Sequence, residues 1–195
     1  MDLLECLNFL KSNGIPIAET RVIKAKPDRF PIVLKANTLG HKTEKKLVRI
    51  VHCPGNFDKE FSDLSKEGEV LGQEMASGIE IILGIQSDET FGKVIMVGNG
   101  GVFTEVLKDV AFRAVPLTKK DAKDMIMELK IFDALKGFRG KTYNLEILED
   151  ALMKLSKIAE KSEVKSLDIN PFMLNDKKGV VVDCRIFMES ETPIK

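Results

Sequence analysis

Residues 98–113 combine a glycine cluster with carboxylates and cations, which are the residue types that a nucleotide-phosphate site uses. Gly100 and Gly101 lack a Cβ, so the backbone can approach a bulky anion closely and its amides can donate to it. The carboxylates that follow, beginning with Glu105, would hold a ribose or a metal ion, or fix the neighbouring cations. A glycine-rich hairpin turn followed by a solvated charged helix fits the same run, so composition alone leaves both interpretations open.

A second group of polar residues lies in the last two predicted strands, at residues 164–174 and 179–187. If the loop 175–178 closes a hairpin, the register pairs Leu174 with Gly179, Phe172 with Val181, Asn170 with Asp183, and Asp168 with Arg185. Directly opposed strand residues have Cβ atoms about 4.5–5.5 Å apart. Oxygens of Asn170 and Asp183 could therefore share one Mg²⁺ ion. A surface salt bridge beside a hydrogen-bonded asparagine is the alternative.

The same register predicts which face of the hairpin is buried. One face is wholly apolar and should be core, and it consists of Leu167, Ile169, Pro171, Met173, Val180, Val182, Cys184 and Ile186.

Three further polar residues occupy positions that suit either chemistry or an ordinary structural role. Lys35 ends an apolar strand, where a lysine is costly unless an anion meets it or the side chain reaches solvent. Glu80 interrupts an apolar run, as plain strand alternation also would. His41 lies in a polar stretch where a histidine is commonly a surface residue, although an imidazole can accept a phosphoryl group.

The elements that must position these residues follow from periodicity and turn signals. Apolar spacing predicts helices at residues 2–12, 56–67 and 145–159, and a capping box at Thr118 and Asp121 predicts another to about residue 129. Short apolar runs predict strands at residues 31–36, 47–51, 70–75, 78–86 and 93–97. This order indicates an α+β protein of two lobes, residues 1–72 and 73–195, with the boundary near Gly72.

Composition excludes several classes of protein. Lys plus Arg and Asp plus Glu both number 30, so the basic footprint of a nucleic-acid binder is absent. No apolar stretch reaches membrane-spanning length, and no signal peptide is recognisable. The 3 cysteines lack a CxxC spacing and indicate reduced thiols. We therefore expect a cytoplasmic protein without nucleic-acid or membrane partners.

Five ordered segments carry a family resemblance that covers nearly the whole chain. Residues 98–113 resemble the glycine-rich core of the ATP-grasp domain in the β subunit of ADP-forming acyl-CoA (acetyl-CoA) synthetases, which are related to the succinyl-CoA synthetase β subunit. The other matching segments are residues 31–35, 41–44, 73–92 and 167–171. The resemblance implies a two-lobed ATP-grasp fold with mixed or antiparallel sheets.

The resemblance also implies roles for individual residues. Asn170 and Asp183 would hold the Mg²⁺ of ATP or ADP, and Lys35 would contact the phosphates. Glu80 would lie near the ribose, and Gln73, Glu74 and Met75 beside the adenine. Gly100, Gly101 and Glu105 would lie in the nucleotide-binding core. His41 would carry a phosphoryl group. The chain lacks a GxGxxG dinucleotide motif, so a partner, the CoA-binding α subunit, would supply the CoA and acyl sites.

One departure keeps rival functions open. Relatives usually follow the histidine motif with a glycine pair, whereas this chain continues with Lys45, Lys46 and Leu47. The leading hypothesis is the ATP-grasp subunit of an ADP-forming acid–CoA ligase. The rivals are a non-catalytic nucleotide-binding regulatory subunit and a stand-alone ATP-grasp carboxylate ligase.

Overall fold

The computed structural model describes residues 1–38, 47–101, 109–137 and 140–189. In chain order the first elements are α1 (Leu3–Ser12), β1 (Thr20–Val22), β2 (Ile32–Ala36), β3 (Val48–Val51), a 3₁₀ turn (Pro54–Asn56), α2 (Phe57–Ser65) and β4 (Val70–Glu74). Next come β5 (Ile79–Asp88), β6 (Gly92–Asn99), β7 (Val110–Ala114), α3 (Lys119–Met127) and α4 (Phe132–Lys136). The chain closes with α5 (Leu145–Lys161), β8 (Val164–Leu174), β9 (Gly179–Val181) and β10 (Cys184–Met188).

Two antiparallel sheets organise the molecule and confirm the predicted α+β class. The smaller sheet has 4 strands in the order β1-β4-β2-β3. The larger sheet has 6 strands, in the order β10-β8-β5-β6-β7 with β9 paired to β8. The division into lobes at Gly72 remains a prediction, and Gly72 itself lies within β4 of the smaller sheet.

Each sheet buries its own apolar cluster. The larger sheet packs against α1, α3, α4 and α5, and the amphipathic stripe predicted for α5 is buried there as Leu148, Ala151, Leu152, Leu155, Ile158 and Ala159. The smaller sheet packs against α2 through Phe57 and Leu64. Burial of these stripes is the main force that holds the helices on the sheets.

The sequence patterns located most of these elements within a few residues. The capping box at the start of α3 is present, with Thr118 and Asp121 bonded reciprocally. The short strand β1 and the short helix α4 were missed because neither is long enough to show a period.

The closing hairpin has the predicted register. Leu174 pairs with Gly179, Phe172 with Val181, and Asp168 with Arg185. Asn170 N donates to Asp183 O at 3.1 Å, which places these two residues opposite each other. The side chain of Asn175 fixes the loop by accepting from the amides of Lys177 and Lys178, both at 2.9 Å.

The predicted core face of this hairpin is only partly correct. Leu167, Ile169, Val180, Cys184 and Ile186 are buried, but Pro171, Met173 and Val182 are half-buried. Phe172, Leu174 and Val181, which the prediction placed on the other face, are completely buried.

The correction has a physical cause in the pairing of β8 with β5. Ile81 pairs with Phe172 and Leu83 with Ile169, so Ile82 faces the two residues Asn170 and Pro171. Such a β-bulge shifts the alternation of side chains by one residue. Ile169 and Phe172 therefore both reach the core.

Candidate functional site

A buried junction joins the two sheets at the gap between β9 and β10. Val182 lies in this gap, and its carbonyl oxygen accepts hydrogen bonds from Lys35 Nζ and from Gln73 Nε2, the latter at 3.1 Å. Lys35 is on β2 and Gln73 on the neighbouring β4. The Lys35 side chain is therefore directed into the junction rather than to solvent, and its exposed fraction is 4%.

The predicted metal-binding pair lies immediately beside this junction. Asn170 is in the bulge of β8, and Asp183 follows Val182 in the gap between β9 and β10. Asp183 Oδ1 accepts from the amide of Cys184 at 3.0 Å, which orients the carboxylate. The structure thus brings Lys35, Asn170 and Asp183 to one place from three separate strands or strand ends.

These residues suit a magnesium ion in the chemistry of their donors. An amide and a carboxylate offer the hard oxygen ligands that Mg²⁺ prefers, and Mg²⁺ commonly takes the rest of its ligands from water and substrate phosphates. In the described part of the chain, no group of three or more His, Cys, Asp or Glu side chains could hold a metal ion. A two-residue site completed by a nucleotide agrees with both observations.

Charge is concentrated two residue pairs further along the hairpin, at Asp168 and Arg185. Burial raises the pKa of the Asp168 carboxyl, the guanidinium of Arg185 opposes that shift, and the Asp183 carboxylate adds to it. Arg185 is the cross-strand partner of Asp168. A cation bound at Asp183 would offset the repulsion between the two carboxylates.

The predicted glycine site is built on β5 and β6. Gly100 N donates to Glu80 O at 2.8 Å, and a Cβ on Gly100 would come within 2.8 Å of the Glu80 carbonyl carbon. A Cβ on Gly101 would lie 2.5 Å from the Glu80 carboxylate. The two glycines therefore permit a close approach to Glu80, whose side chain is exposed and whose strand partner is Met173.

Glu74 and Met75 lie where the chain passes from the smaller to the larger sheet. Glu74 Oε1 contacts Lys178 Nζ at 3.4 Å, and Asn175 Nδ2 donates to Ser77 O at 2.9 Å, so the hairpin loop is tied to this connection. Met75 is exposed.

A cleft of about 540 Å³ opens beside Glu74 and Met75. Its wall also includes Ile32 on β2 and Gly72 on β4. Among the described residues that line it, Lys35, Asn170 and Asp183 do not occur. Gln73 also lines the cleft, and its Nε2 donates to the Val182 carbonyl, which directly precedes Asp183.

Two predicted site residues, His41 and Glu105, lie outside the described residues. Among the others, the structure forms three groups: Lys35 with Asn170 and Asp183, Glu80 with Gly100 and Gly101, and Glu74 with Met75. Glu80 of the second group and Asn170 of the first lie on adjacent strands, because Met173, the strand partner of Glu80, is three residues from Asn170 along β8.

Sequence reasoning missed the two groups that organise the junction. The Val182 carbonyl is a backbone atom with no sequence signature. Gln73 was predicted only to lie beside the adenine with Glu74 and Met75, and its buried hydrogen bonds were not predicted. Its exposed fraction is 1%.

The described residues contain no helix long and apolar enough to cross a membrane. The sequence model of the ATP-grasp domain family matches residues 2–188. The described sheets and helices are thus those of an ATP-grasp domain.

Comparison with individual proteins shows which kind of ATP-grasp protein this chain resembles. The β subunit of an ADP-forming acetate–CoA ligase from Pyrococcus furiosus is 34% identical, over 95% of this chain and 90% of that subunit. An ADP-forming acetate–CoA ligase from Archaeoglobus fulgidus is 36% identical over 86% of this chain, which spans 26% of that longer protein. The chain belongs to this ATP-grasp family of ADP-forming acetate–CoA ligases.

A solved structure supports the same assignment. An acetyl-coenzyme A synthetase from Ca. Korarchaeum cryptofilum matches with a TM-score of 0.86 and 34% identity, over 95% of this chain and 91% of that one. That protein was solved in complex with coenzyme A and Mg-AMPPCP, with a phosphohistidine segment pointing towards the nucleotide-binding site.

Proposed function

We propose that this chain is the ATP-grasp subunit of an ADP-forming acid–CoA ligase and binds Mg-ATP or Mg-ADP between its two sheets. The reaction of the complete enzyme is acyl-CoA + ADP + phosphate ⇌ acid + CoA + ATP. The observation that carries the proposal is the convergence of Lys35, Asn170 and Asp183 at the junction beside Val182. Family membership supplies the reaction class.

Each site residue has a distinct task in this proposal. Asn170 and Asp183 hold Mg²⁺, which when bound offsets the charge on the phosphates. The Lys35 ammonium meets the phosphate oxygens. Gly100 and Gly101 let the backbone approach the nucleotide, and Glu80 holds the ribose. Glu74 and Met75 lie beside the adenine, and Glu105 contributes from the segment that follows the glycines.

The phosphoryl step is assigned to His41. An imidazole nitrogen attacks the γ-phosphorus, an N–P bond forms, and the bond from phosphorus to the bridging oxygen breaks as ADP leaves with the electron pair. Positioning and charge stabilisation account for most of the acceleration of such a transfer. The phosphohistidine segment described for the Korarchaeum relative supports a histidine carrier.

The acyl and CoA sites belong to a partner in this proposal. The Pyrococcus relative is a β subunit of similar length, whereas the Archaeoglobus relative is a longer single protein of which this chain spans 26%. Both arrangements support a CoA-binding α subunit as the partner of this chain.

Calorimetry of nucleotide binding tests the proposal. Asp183→Ala should weaken Mg-dependent ATP binding by at least about tenfold, since it removes a charged metal ligand, which corresponds to about 1.4 kcal/mol. Asp176→Ala, in the exposed hairpin loop, is the matched control and should leave binding unchanged. Equal effects of the two substitutions would refute the metal assignment.

A further inference from the structure

The carbonyl of Val182 is held by two side chains of different mobility. Lys35 carries its ammonium on a flexible four-carbon stem, which lets the charge move between acceptors. Gln73 is shorter and is held at a second point, because its Nε2 also donates to Thr20 Oγ1 at 2.8 Å. Gln73 is therefore the fixed donor of the junction and Lys35 the movable one.

The orientation of the Gln73 amide follows from its neighbours. A backbone carbonyl can only accept a hydrogen bond, so the amide nitrogen rather than the amide oxygen must face Val182. One proton of Nε2 is then donated to Val182 O at an N–O distance of 3.1 Å, and the other is donated to Thr20 Oγ1. Both donors of the buried amide nitrogen are thereby used.

The Val182 carbonyl carbon is bonded directly to the backbone nitrogen of Asp183, the proposed metal ligand. Asp183 follows Val182 directly, and its own carbonyl accepts from Asn170 N across the hairpin. On the other side, Cys184 enters β10 and pairs with Ile169. The backbone of Asp183 is therefore fixed from three directions, one of which is the junction formed by Gln73 and Lys35.

We propose that Gln73 is a positioning residue for the metal site, which keeps the Val182 carbonyl and hence Asp183 in place when Lys35 turns to the phosphates of a bound nucleotide. This inference rests on the proposed function. Leaving a half-buried carbonyl without any hydrogen-bond partner costs free energy. Gln73 removes that cost at the moment when the Lys35 ammonium changes acceptor.

The proposal predicts a specific change in metal dependence. Gln73→Met removes the donor while filling the buried space, and Mg²⁺ should then be needed at about tenfold higher concentration for half-maximal ATP binding, as is typical when an outer-shell partner of a metal ligand is lost. Binding of ATP in the presence of EDTA should fall much less than Mg-dependent binding, since both Nε2 protons of Gln73 are donated within the protein, to Val182 O and Thr20 Oγ1. Both quantities can be measured by calorimetry on the full chain.

Two further variants separate positioning from general destabilisation. Gln73→Asn keeps a buried amide but shortens the side chain by one methylene group, so it should raise the Mg²⁺ requirement in the same direction even if Gln73→Met does not fold. Ser156→Ala removes another buried polar group, which bonds the amide of Leu117 at 2.9 Å in the larger core, and should leave the Mg²⁺ requirement unchanged.

The outcomes are distinguishable. If the unsubstituted chain binds no Mg-ATP, the proposed function fails and the role of Gln73 fails with it. If it binds Mg-ATP and a folded Gln73 variant keeps the normal Mg²⁺ requirement, or loses metal-free and metal-dependent binding equally, only the positioning role is overturned.

Discussion

At the scale of single residues, burial decides what Lys35 can do. A lysine inside an apolar strand needs a polar partner, and in this fold a backbone carbonyl in the gap of the other sheet accepts from it. Because Asp183 follows that carbonyl directly, the same contact brings the ammonium close to Asn170 and Asp183, the proposed metal-binding pair. An ammonium on a flexible stem can exchange a carbonyl for an incoming phosphate oxygen, which suits the proposed nucleotide site.

The close approach of two strands makes Gly100 a sensitive position. Gly100→Ala should lower the free energy of unfolding by about 1–3 kcal/mol, because its Cβ would overlap backbone atoms of Glu80. The nearest of these atoms would be only 2.8 Å away. Gly55→Ala is the control, since a Cβ there meets nothing within 4 Å. Urea denaturation measures both, and a smaller loss for Gly100→Ala than for Gly55→Ala would contradict the packing argument.

The proposed phosphoryl carrier can be tested directly. Incubation with γ-labelled ATP and the CoA-binding partner should give label on this chain that is acid-labile and base-stable, as expected for a phosphohistidine. His41→Ala should abolish the label, whereas His52→Ala, which changes the other of the 2 histidines, should retain it. Label confined to the partner, with full activity of His41→Ala, would favour the regulatory function.

At the scale of elements, the closing hairpin is the part of the fold that forms the proposed metal site. Its loop fixes the register, and the bulge at Asn170 and Pro171 shifts the side chains between the two faces. The gap after Val181 lies opposite this bulge. Both strands therefore depart from regular pairing at the point where oxygen ligands are needed, a common use of β-bulges near functional sites.

The N-terminal cap of α3 predicts how the stability of the protein depends on pH. Hydrogen bonds from the Thr118 side chain and amide hold the pKa of Asp121 below its ordinary value of 3.8. A lowered pKa in the folded state stabilises the protein above 3.8, and this contribution disappears as the pH falls through the folded value.

Thr118→Ala should therefore lower the melting temperature slightly at pH 7 and progressively less below pH 3.8. Thr90→Ala, an exposed threonine whose hydroxyl plays no part in a helix cap, should show a difference that does not vary with pH. If the loss of melting temperature in Thr118→Ala grew towards acid pH, the lowered pKa of Asp121 in the folded state would be contradicted. Thermal unfolding followed by circular dichroism at several pH values provides the measurement.

At the scale of the whole molecule, the two sheets are joined at more than one place. The Val182 junction is one, and the other is the hairpin loop, where Lys178 meets Glu74 and Asn175 bonds Ser77. Helix α1, although first in the chain, packs into the core of the larger sheet. Elements distant in sequence thus set the relative placement of the sheets around the proposed nucleotide site.

For the whole molecule, we predict that ligase activity requires the partner subunit. The purified chain alone should show no acid–CoA ligase turnover above background, because the CoA and acyl sites are assigned to the α subunit. Addition of that subunit should restore phosphate-dependent ATP formation from acyl-CoA and ADP. Turnover by the isolated chain, with mass spectrometry excluding a companion protein, would favour the stand-alone ligase instead.

The local features of this protein follow from short sequence patterns. Helix periods, the α3 capping box and the register of the closing hairpin are set by backbone repeats and loop length, which act over a few residues. The residue pattern alone therefore sufficed to place Asn170 opposite Asp183. The order of the motifs likewise identified the family, because each motif is a short contiguous run.

How these parts meet depends on the packing of the two sheets. Lys35 and Val182 are 147 positions apart, and their contact depends on how two sheets pack rather than on any local period. The bulge in β8 is invisible in the alternation of its own residues, since it is defined by the pairing with β5. Gln73 likewise acquires its role only because its strand lies beside the gap that holds Asp183. Contacts between elements depend on packing, which a local pattern does not encode.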